Sequence, residues 1–235
     1  NHDSLRDEGD DTTWTNLNGL WQWEPTTAQG LLSPPFQKEL NRSILVPFPV
    51  ESCLSGAPQA QSSDQIVQHM FYRLLFDQNK DFSSSTILHF GAVDWQSSVF
   101  LNGVLLGNNT GGYNGFSFDI TEHLKPSKNE LIVYVFDPSD SGDQPNGKQR
   151  LSATNSPGGD TYTPSSGIWQ TVWLETVQNT YINKIHINQA SLSTVIVSAD
   201  VKGNNGKVSD IIFEVLDPTT GKVLVSNSGK MNQNV

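Results

Sequence analysis

Ser98-Val99-Phe100-Leu101-Asn102-Gly103-Val104-Leu105-Leu106-Gly107 decides the reading of the fold. Asn-Gly between apolar runs encodes a two-residue hairpin, because a type I′ turn needs positive φ at both central positions and Asn and Gly tolerate it best. Such a turn predicts Leu101 opposite Val104 and Val99 opposite Leu106, with Phe100 and Leu105 on the reverse face. Apolar residues on both faces place the hairpin well inside a β-sandwich. If the two central residues serve only the turn, Gly103→Val should cost about 1–2 kcal/mol and Asn102→Gly almost nothing.

On either side the same period continues. Met70, Tyr72, Leu74 and Phe76 share one face of a strand, and Phe71, Arg73 and Leu75 share the other. A lone Arg on an apolar face implies a covered face and a carboxylate partner. The run Leu131 to Phe136 is apolar throughout and β-branched, which predicts a central strand. Ile87 to Phe90, Phe116 to Phe118 and Ile168 to Leu174 supply further strands, with Gly19 to Trp23 as the opening one. The Pro-rich segment from Pro25 to Pro49 should wrap the sandwich as loop, with one short strand near Ile44 to Val46. Gly56 to Gln65 is a polar loop, and Asp137 to Gly167 is a long loop dense in Pro, Gly, Ser and Asp, of a length usually mobile or functional. Trp21 reads as core, whereas Trp23 suits either a core position or a sugar-stacking one.

The 235 residues carry Lys+Arg 14 against Asp+Glu 24, a net charge of -10, which argues against nucleic acid and anionic membranes as partners. A neutral sugar is not opposed by that field. Cys53 is the single cysteine, expected to be a small buried or half-buried residue, and the five scattered His form no zinc motif, so neither metal nor cofactor is expected. No run spans a bilayer, and a chain that starts at Asn1 is expected to be processed or partial. Asn41-Arg42-Ser43 and Asn108-Asn109-Thr110 are glycosylation sequons, which predict surface positions for Asn41 and Asn108 in a secreted or lumenal protein.

An ordered set of words carries a resemblance: Phe90-Gly91-Ala92-Val93-Asp94-Trp95, Leu101-Asn102-Gly103, Gly111-Gly112-Tyr113, Phe118-Asp119-Ile120-Thr121, Gly147-Lys148-Gln149 and Ser166-Gly167-Ile168-Trp169-Gln170. The sequence resembles the N-terminal sugar-binding domain of glycoside hydrolase family two, the β-galactosidases, β-glucuronidases and β-mannosidases. The resemblance implies an all-β fold: an acidic lead-in at 1–13, a galactose-binding-like jelly roll at 14–178, and the first half of an immunoglobulin-like sandwich at 179–235. About four strands fit before Val235, where such a sandwich needs about seven, so 179–235 should be the weaker part.

Retaining glycoside hydrolysis needs two carboxyl groups about 5 Å apart. In the family both stand on a (β/α)8 barrel, and no alternating βα pattern occurs here. No Gly-x-Ser-x-Gly elbow and no phosphate loop occurs either. No catalytic residue is therefore assigned, and the chain alone should hydrolyse nothing. The resemblance further implies that an Asp shortly before the Ser-Gly-Ile turn helps bind the sugar. Asp160 stands close to that place, with a spacing that differs by a residue or so, and Tyr162 offers a ring face; both equally read as an exposed turn Asp and a loop-packing Tyr. The implied partners are a carbohydrate substrate and a catalytic barrel of the same or a companion chain. The alternative class is a free-standing carbohydrate-binding or adhesive module, and the length of the native polypeptide separates the two.

Overall fold

The computed structural model describes residues 14–57, 67–78, 84–154, 156–203 and 210–230. The lead-in at 1–13 and most of the Gly56 to Gln65 loop lie outside the described residues. The chain divides into two compact units, Asn1–Thr176 and Val177–Val235.

The first unit begins with β1 (Trp14–Asn16), β2 (Gly19–Pro25), β3 (Arg42–Val46), β4 (His69–Phe76), β5 (Ser84–Phe90) and β6 (Val93–Asp94). It continues with β7 (Gln96–Leu101), β8 (Val104–Thr110), β9 (Phe116–Asp119), β10 (Asn129–Phe136), β11 (Gly167–Ile168) and β12 (Val172–Gln178). A six-stranded sheet in the order β3-β2-β4-β10-β7-β8 faces a four-stranded sheet β1-β12-β5-β9, and β11 pairs with β6. The pairings β1–β12, β4–β10, β7–β10, β6–β11, β2–β3, β2–β4, β5–β9 and β7–β8 are antiparallel. Trp21, Tyr72, Val99, Leu101, Leu131 and Val133 from the larger sheet meet Leu88, Phe90, Val172 and Leu174 from the smaller in one core. This is the sandwich that the strand periodicities predict, with Leu131 to Phe136 central as expected.

The hairpin forms with φ of 53° at Asn102 and 90° at Gly103, and Leu101 faces Val104. Two of its expectations fail. A bulge between Val99 and Phe100 sets Val99 opposite Gly107 instead of Leu106; one extra residue accommodated in the ladder shifts the partner without changing which side chains face the core. The hairpin is also not well inside the sandwich, because β8 is an edge strand whose Val104 and Leu105 are exposed. Gly103 has open space around its Cβ direction, so Gly103→Val meets backbone strain alone and should lower stability by about 1–2 kcal/mol in a denaturant titration.

The outer face of the larger sheet is covered by the β2–β3 connection. Phe36 and Leu40 pack on Phe71, Phe100, Ile132 and Tyr134. On the same face Arg73 Nε donates to Glu130 Oε1 at 2.6 Å and Nη1 to Gln22 Oε1 at 2.8 Å, so the expected carboxylate partner is Glu130. Trp23 is buried at 1% exposure and takes the core role. Cys53 is exposed rather than buried, because it opens a short 3-10 turn in which Ser55 is the residue that points inward. Ile168 to Leu174 is not one strand: β11 and β12 belong to different sheets, and the chain changes sheet across Trp169, Gln170 and Thr171. Asn41 and Asn108 are both exposed.

The second unit contains two hairpins, β13 (Tyr181–Ser191) with β14 (Thr194–Lys202) and β15 (Asp210–Leu216) with β16 (Val223–Lys230). Ile185, Ile187, Val195, Ile212 and Val225 on these hairpins are each more than half exposed. No helix among the described residues is long and apolar enough to cross a membrane.

Candidate functional site

Four loops converge where β4, β7 and β11 begin and where β6 and β10 end. Ser166, just before β11, ties them together. Its N–H donates to Glu51 Oε2 at 2.9 Å, its hydroxyl to Asp137 Oδ2 at 2.6 Å, and its carbonyl accepts from Val50 N–H at 3.1 Å. Asp137 Oδ1 accepts from Ser139 N–H at 2.7 Å. Gly167 follows at φ 89° with its Cα hydrogens directed at the Tyr72 hydroxyl, where a Cβ would collide. The Ser-Gly-Ile word is thus explained: Ser spends its polar groups on two carboxyls, and only Gly fits against Tyr72.

Asp94 is the third carboxyl of the cluster, paired with Gly167 across β6 and β11. A Cβ on Gly112 would lie 2.6 Å from its carboxyl, so the Gly111-Gly112 turn rests directly on Asp94. The Gln149 side chain hydrogen-bonds to the Asp94 carboxyl, and Gln149 Oε1 accepts from Ser165 N–H at 2.7 Å. Burial pushes Asp94 up from 3.8 to about 7, and the charges of Asp137 and Glu51 add to it, while the Gln149 hydrogen bond opposes. Burial likewise raises Glu51 and Asp137, each against the hydrogen bonds of Ser166. Among the described residues no group of three or more His, Cys, Asp or Glu is arranged to hold a metal ion.

Asp160 and Tyr162 lie on the surface of the long loop. Asp160 is exposed in the tight turn from Gly158 to Thr161, where Gly158 N–H donates to Thr161 O at 3.2 Å and Thr161 N–H to Gly158 O at 3.1 Å. Tyr162 N–H donates to Lys148 O at 2.9 Å, its carbonyl accepts from Arg150 N–H, and Lys148 Nζ sits 5.8 Å from the ring centroid. The ring is 54% exposed. Backbone pairing of Tyr162 with Gln149 links this surface to Asp94.

Residues 55–178 match the family described as "Glycosyl hydrolases family 2, sugar binding domain". The chain belongs to glycosyl hydrolase family 2. It is 28% identical over 153 residues to a β-galactosidase of Thermoanaerobacter pseudethanolicus, covering 63% of this chain and 19% of that protein. It is 34% identical over 106 residues to a β-galactosidase of Bacteroides ovatus, covering 44% and 10%. In fold it resembles the β-glucuronidase of Ruminococcus gnavus, solved in complex with D-glucuronic acid, with a TM-score of 0.70 at 17% identity, over 94% of this chain and 39% of that one. The chain spans less than a fifth of the length of the curated relatives it matches.

Within this family-two domain the matched span holds Asp94, Asp137, Asp160, Tyr162 and Ser166, and Glu51 stands just ahead of it. Sequence reasoning singled out Asp160 and Tyr162 through the family words but did not single out the carboxyl cluster, whose members lie far apart in the chain. A carboxyl whose folded pKa exceeds its unfolded value holds its proton more tightly in the folded state. Its contribution is therefore complete below the unfolded value of 3.8 and is lost as pH rises through about 7. Asp94→Asn should accordingly raise stability at pH 8 by about 1–2 kcal/mol, discounted for the carboxyl's residual contact with solvent, and leave it unchanged at pH 4. Thermal melts of both proteins across that range check the sign.

Proposed function

We propose that this chain is the N-terminal, non-catalytic sugar-binding portion of a retaining family-two glycoside hydrolase. Hydrolysis of the β-glycosidic bond is performed by a (β/α)8 barrel outside these residues, in the same or a companion chain. The observation that carries this reading is the match of 55–178 to the sugar-binding domain of the family, over less than a fifth of the length of its relatives. The carboxyls of the cluster support it. Ser166 engages Glu51 and Asp137, and Gln149 engages Asp94, so they brace loops instead of facing a substrate across an open cleft.

In this reading Asp160 accepts hydrogen bonds from sugar hydroxyls and Tyr162 packs on the ring face that Lys148 leaves open. Residues 179–235 are the first strands of an immunoglobulin-like sandwich, which is supported by the apolar side chains exposed on both hairpins. Exposed Asn41 and Asn108 carry N-glycans in a secreted protein. The role needs no cofactor.

The test is a saccharide titration of the 235-residue chain with galactose, glucuronic acid, mannose and glucose, read by NMR. One of them should bind, and Asp160→Ala should weaken it at least tenfold, since a hydrogen bond to a charged group contributes about 1.5–3 kcal/mol. Unchanged affinity in Asp160→Ala would remove Asp160 from the site.

A further inference from the structure

One feature of the rim is used by neither the carboxyl cluster nor Asp160. Tyr113 and Trp169 come from different loops and meet edge to face, with ring centroids 6.1 Å apart and planes at 78°. Tyr113 is 61% exposed and Trp169 half-buried. The indole is locked in place: Nε1 donates to Gly112 O at 2.8 Å, and its backbone N–H reaches Ala92 O at 3.4 Å. Gly112 in turn rests on the Asp94 carboxyl, and Gly111 N–H donates to Trp95 O at 3.0 Å. Two rings at near right angles therefore form a rigid, open corner.

A singly exposed aromatic needs no explanation, but two rings from different loops, fixed as one corner, offer the apolar faces on which a pyranose stacks. The ring faces suit the axial C–H groups of a sugar, and a rigid aromatic with two side-chain torsions loses little entropy on binding. The Gly112 carbonyl that holds the indole belongs to a residue that rests on the buried Asp94 carboxyl, so the ring faces are held in place from below. The corner also continues the site proposed above. Tyr162 pairs with Gln149, Gln149 bonds to Asp94, Asp94 supports Gly112, and Gly112 anchors Trp169. Each link is one hydrogen bond, one backbone bridge or one van der Waals contact, so the corner is tied through the buried Asp94 to the segment that carries Tyr162. The net charge of -10 favours a neutral occupant over an anionic one.

We propose that Tyr113 and Trp169 form a second carbohydrate-contact site, and that the ligand of the rim is a neutral β-linked oligosaccharide extending beyond the sugar held at Asp160 and Tyr162. This rests on the reading of Asp160 and Tyr162 as the first sugar contact, and the variants separate the two.

The probes are cellotetraose, β-1,4-galactotetraose and β-1,4-mannotetraose, each titrated into the 235-residue chain against its own monosaccharide. At least one tetrasaccharide should bind about tenfold more tightly than its monosaccharide, as two aromatic contacts of about 0.5–1.5 kcal/mol each imply. Tyr113→Ala, an exposed position that the fold tolerates, should remove that advantage and leave monosaccharide affinity unchanged. Trp169→Phe keeps a ring while removing the Gly112 anchor, and should act in the same direction. Asp160→Ala should weaken both ligands equally. A tetrasaccharide advantage that survives Tyr113→Ala and Trp169→Phe overturns the second site while leaving the first intact. An advantage lost in those variants but unaffected by Asp160→Ala retains the corner and overturns the first contact. No tetrasaccharide advantage, or no binding by any probe, overturns the proposal.

Discussion

Arg73→Ala is expected to cost the sandwich about 3–5 kcal/mol, because it leaves a buried carboxylate without its counterion. Arg73 and Glu130 are 6% and 8% exposed, and the ladder sets Arg73 opposite Ile132 on β10 and opposite Gln22 on β2. Glu130, two residues before Ile132, is therefore the diagonal neighbour on the same face. Both Glu130 oxygens also accept from Gln37 N–H, at 3.0 and 3.1 Å, and Gln22 Oε1 accepts from Leu40 N–H at 3.1 Å. The ion pair thus fastens the 37–40 segment over the outer sheet face. Losing the Arg unpins that cover as well as stranding the charge. Differential denaturation should show the loss as a fall of roughly 10 °C in Tm. The double variant Arg73→Met with Glu130→Gln should lose distinctly less than Arg73→Ala alone, since no charge remains buried. A single variant within 1 kcal/mol of the wild type would mean that water reaches Glu130.

Asn102→Gly is expected to cost about 2–4 kcal/mol, more than Gly103→Val, although the sequence alone predicts the reverse order. Asn102 Nδ2 donates to His123 O at 2.8 Å and to Asn129 Oδ1 at 2.9 Å, and Oδ1 accepts from Glu130 N–H at 2.9 Å. Its backbone N–H donates to Glu130 O at 2.9 Å. Asn129 is fully buried, so losing the amide leaves polar groups that water cannot reach. Denaturant titration of both variants decides the order; a near-silent Asn102→Gly would reduce Asn102 to a turn residue.

That reversal shows where the sequence stops being legible. Turn chemistry is local, so Asn102-Gly103 can be read from two letters. The partners of the Asn102 amide are more than twenty residues away, and no spacing announces them. The alternation from Met70 to Phe76 reveals a covered face around Arg73 but not that Glu130 supplies the charge. The sheet change at Trp169 is hidden for a similar reason: Ile168, Val172 and Leu174 keep a strand-like alternation while the backbone between them leaves one sheet for another. The candidate site divides along the same line. Asp160 and Tyr162 were reachable because they sit beside a recognisable word, Ser166-Gly167-Ile168. Glu51, Asp94 and Asp137 come from three separated segments that only the packing of the loops brings together; Asp94 lies inside the word Phe90 to Trp95, but nothing in that word names Glu51 or Asp137 as its neighbours.

The central claim is that these residues bind sugar while catalysis belongs elsewhere, and a turnover assay tests it most directly. The purified 235-residue chain is incubated with aryl β-galactosides, β-glucuronides, β-mannosides and β-glucosides, and aryl release is followed to the detection limit. No release is expected, because two carboxyl groups about 5 Å apart across a bound sugar are required and the cluster carboxyls here are bound to Ser166 and Gln149. Release that copurifies with the chain to homogeneity, and persists after any contaminating glycosidase has been excluded, would contradict the account.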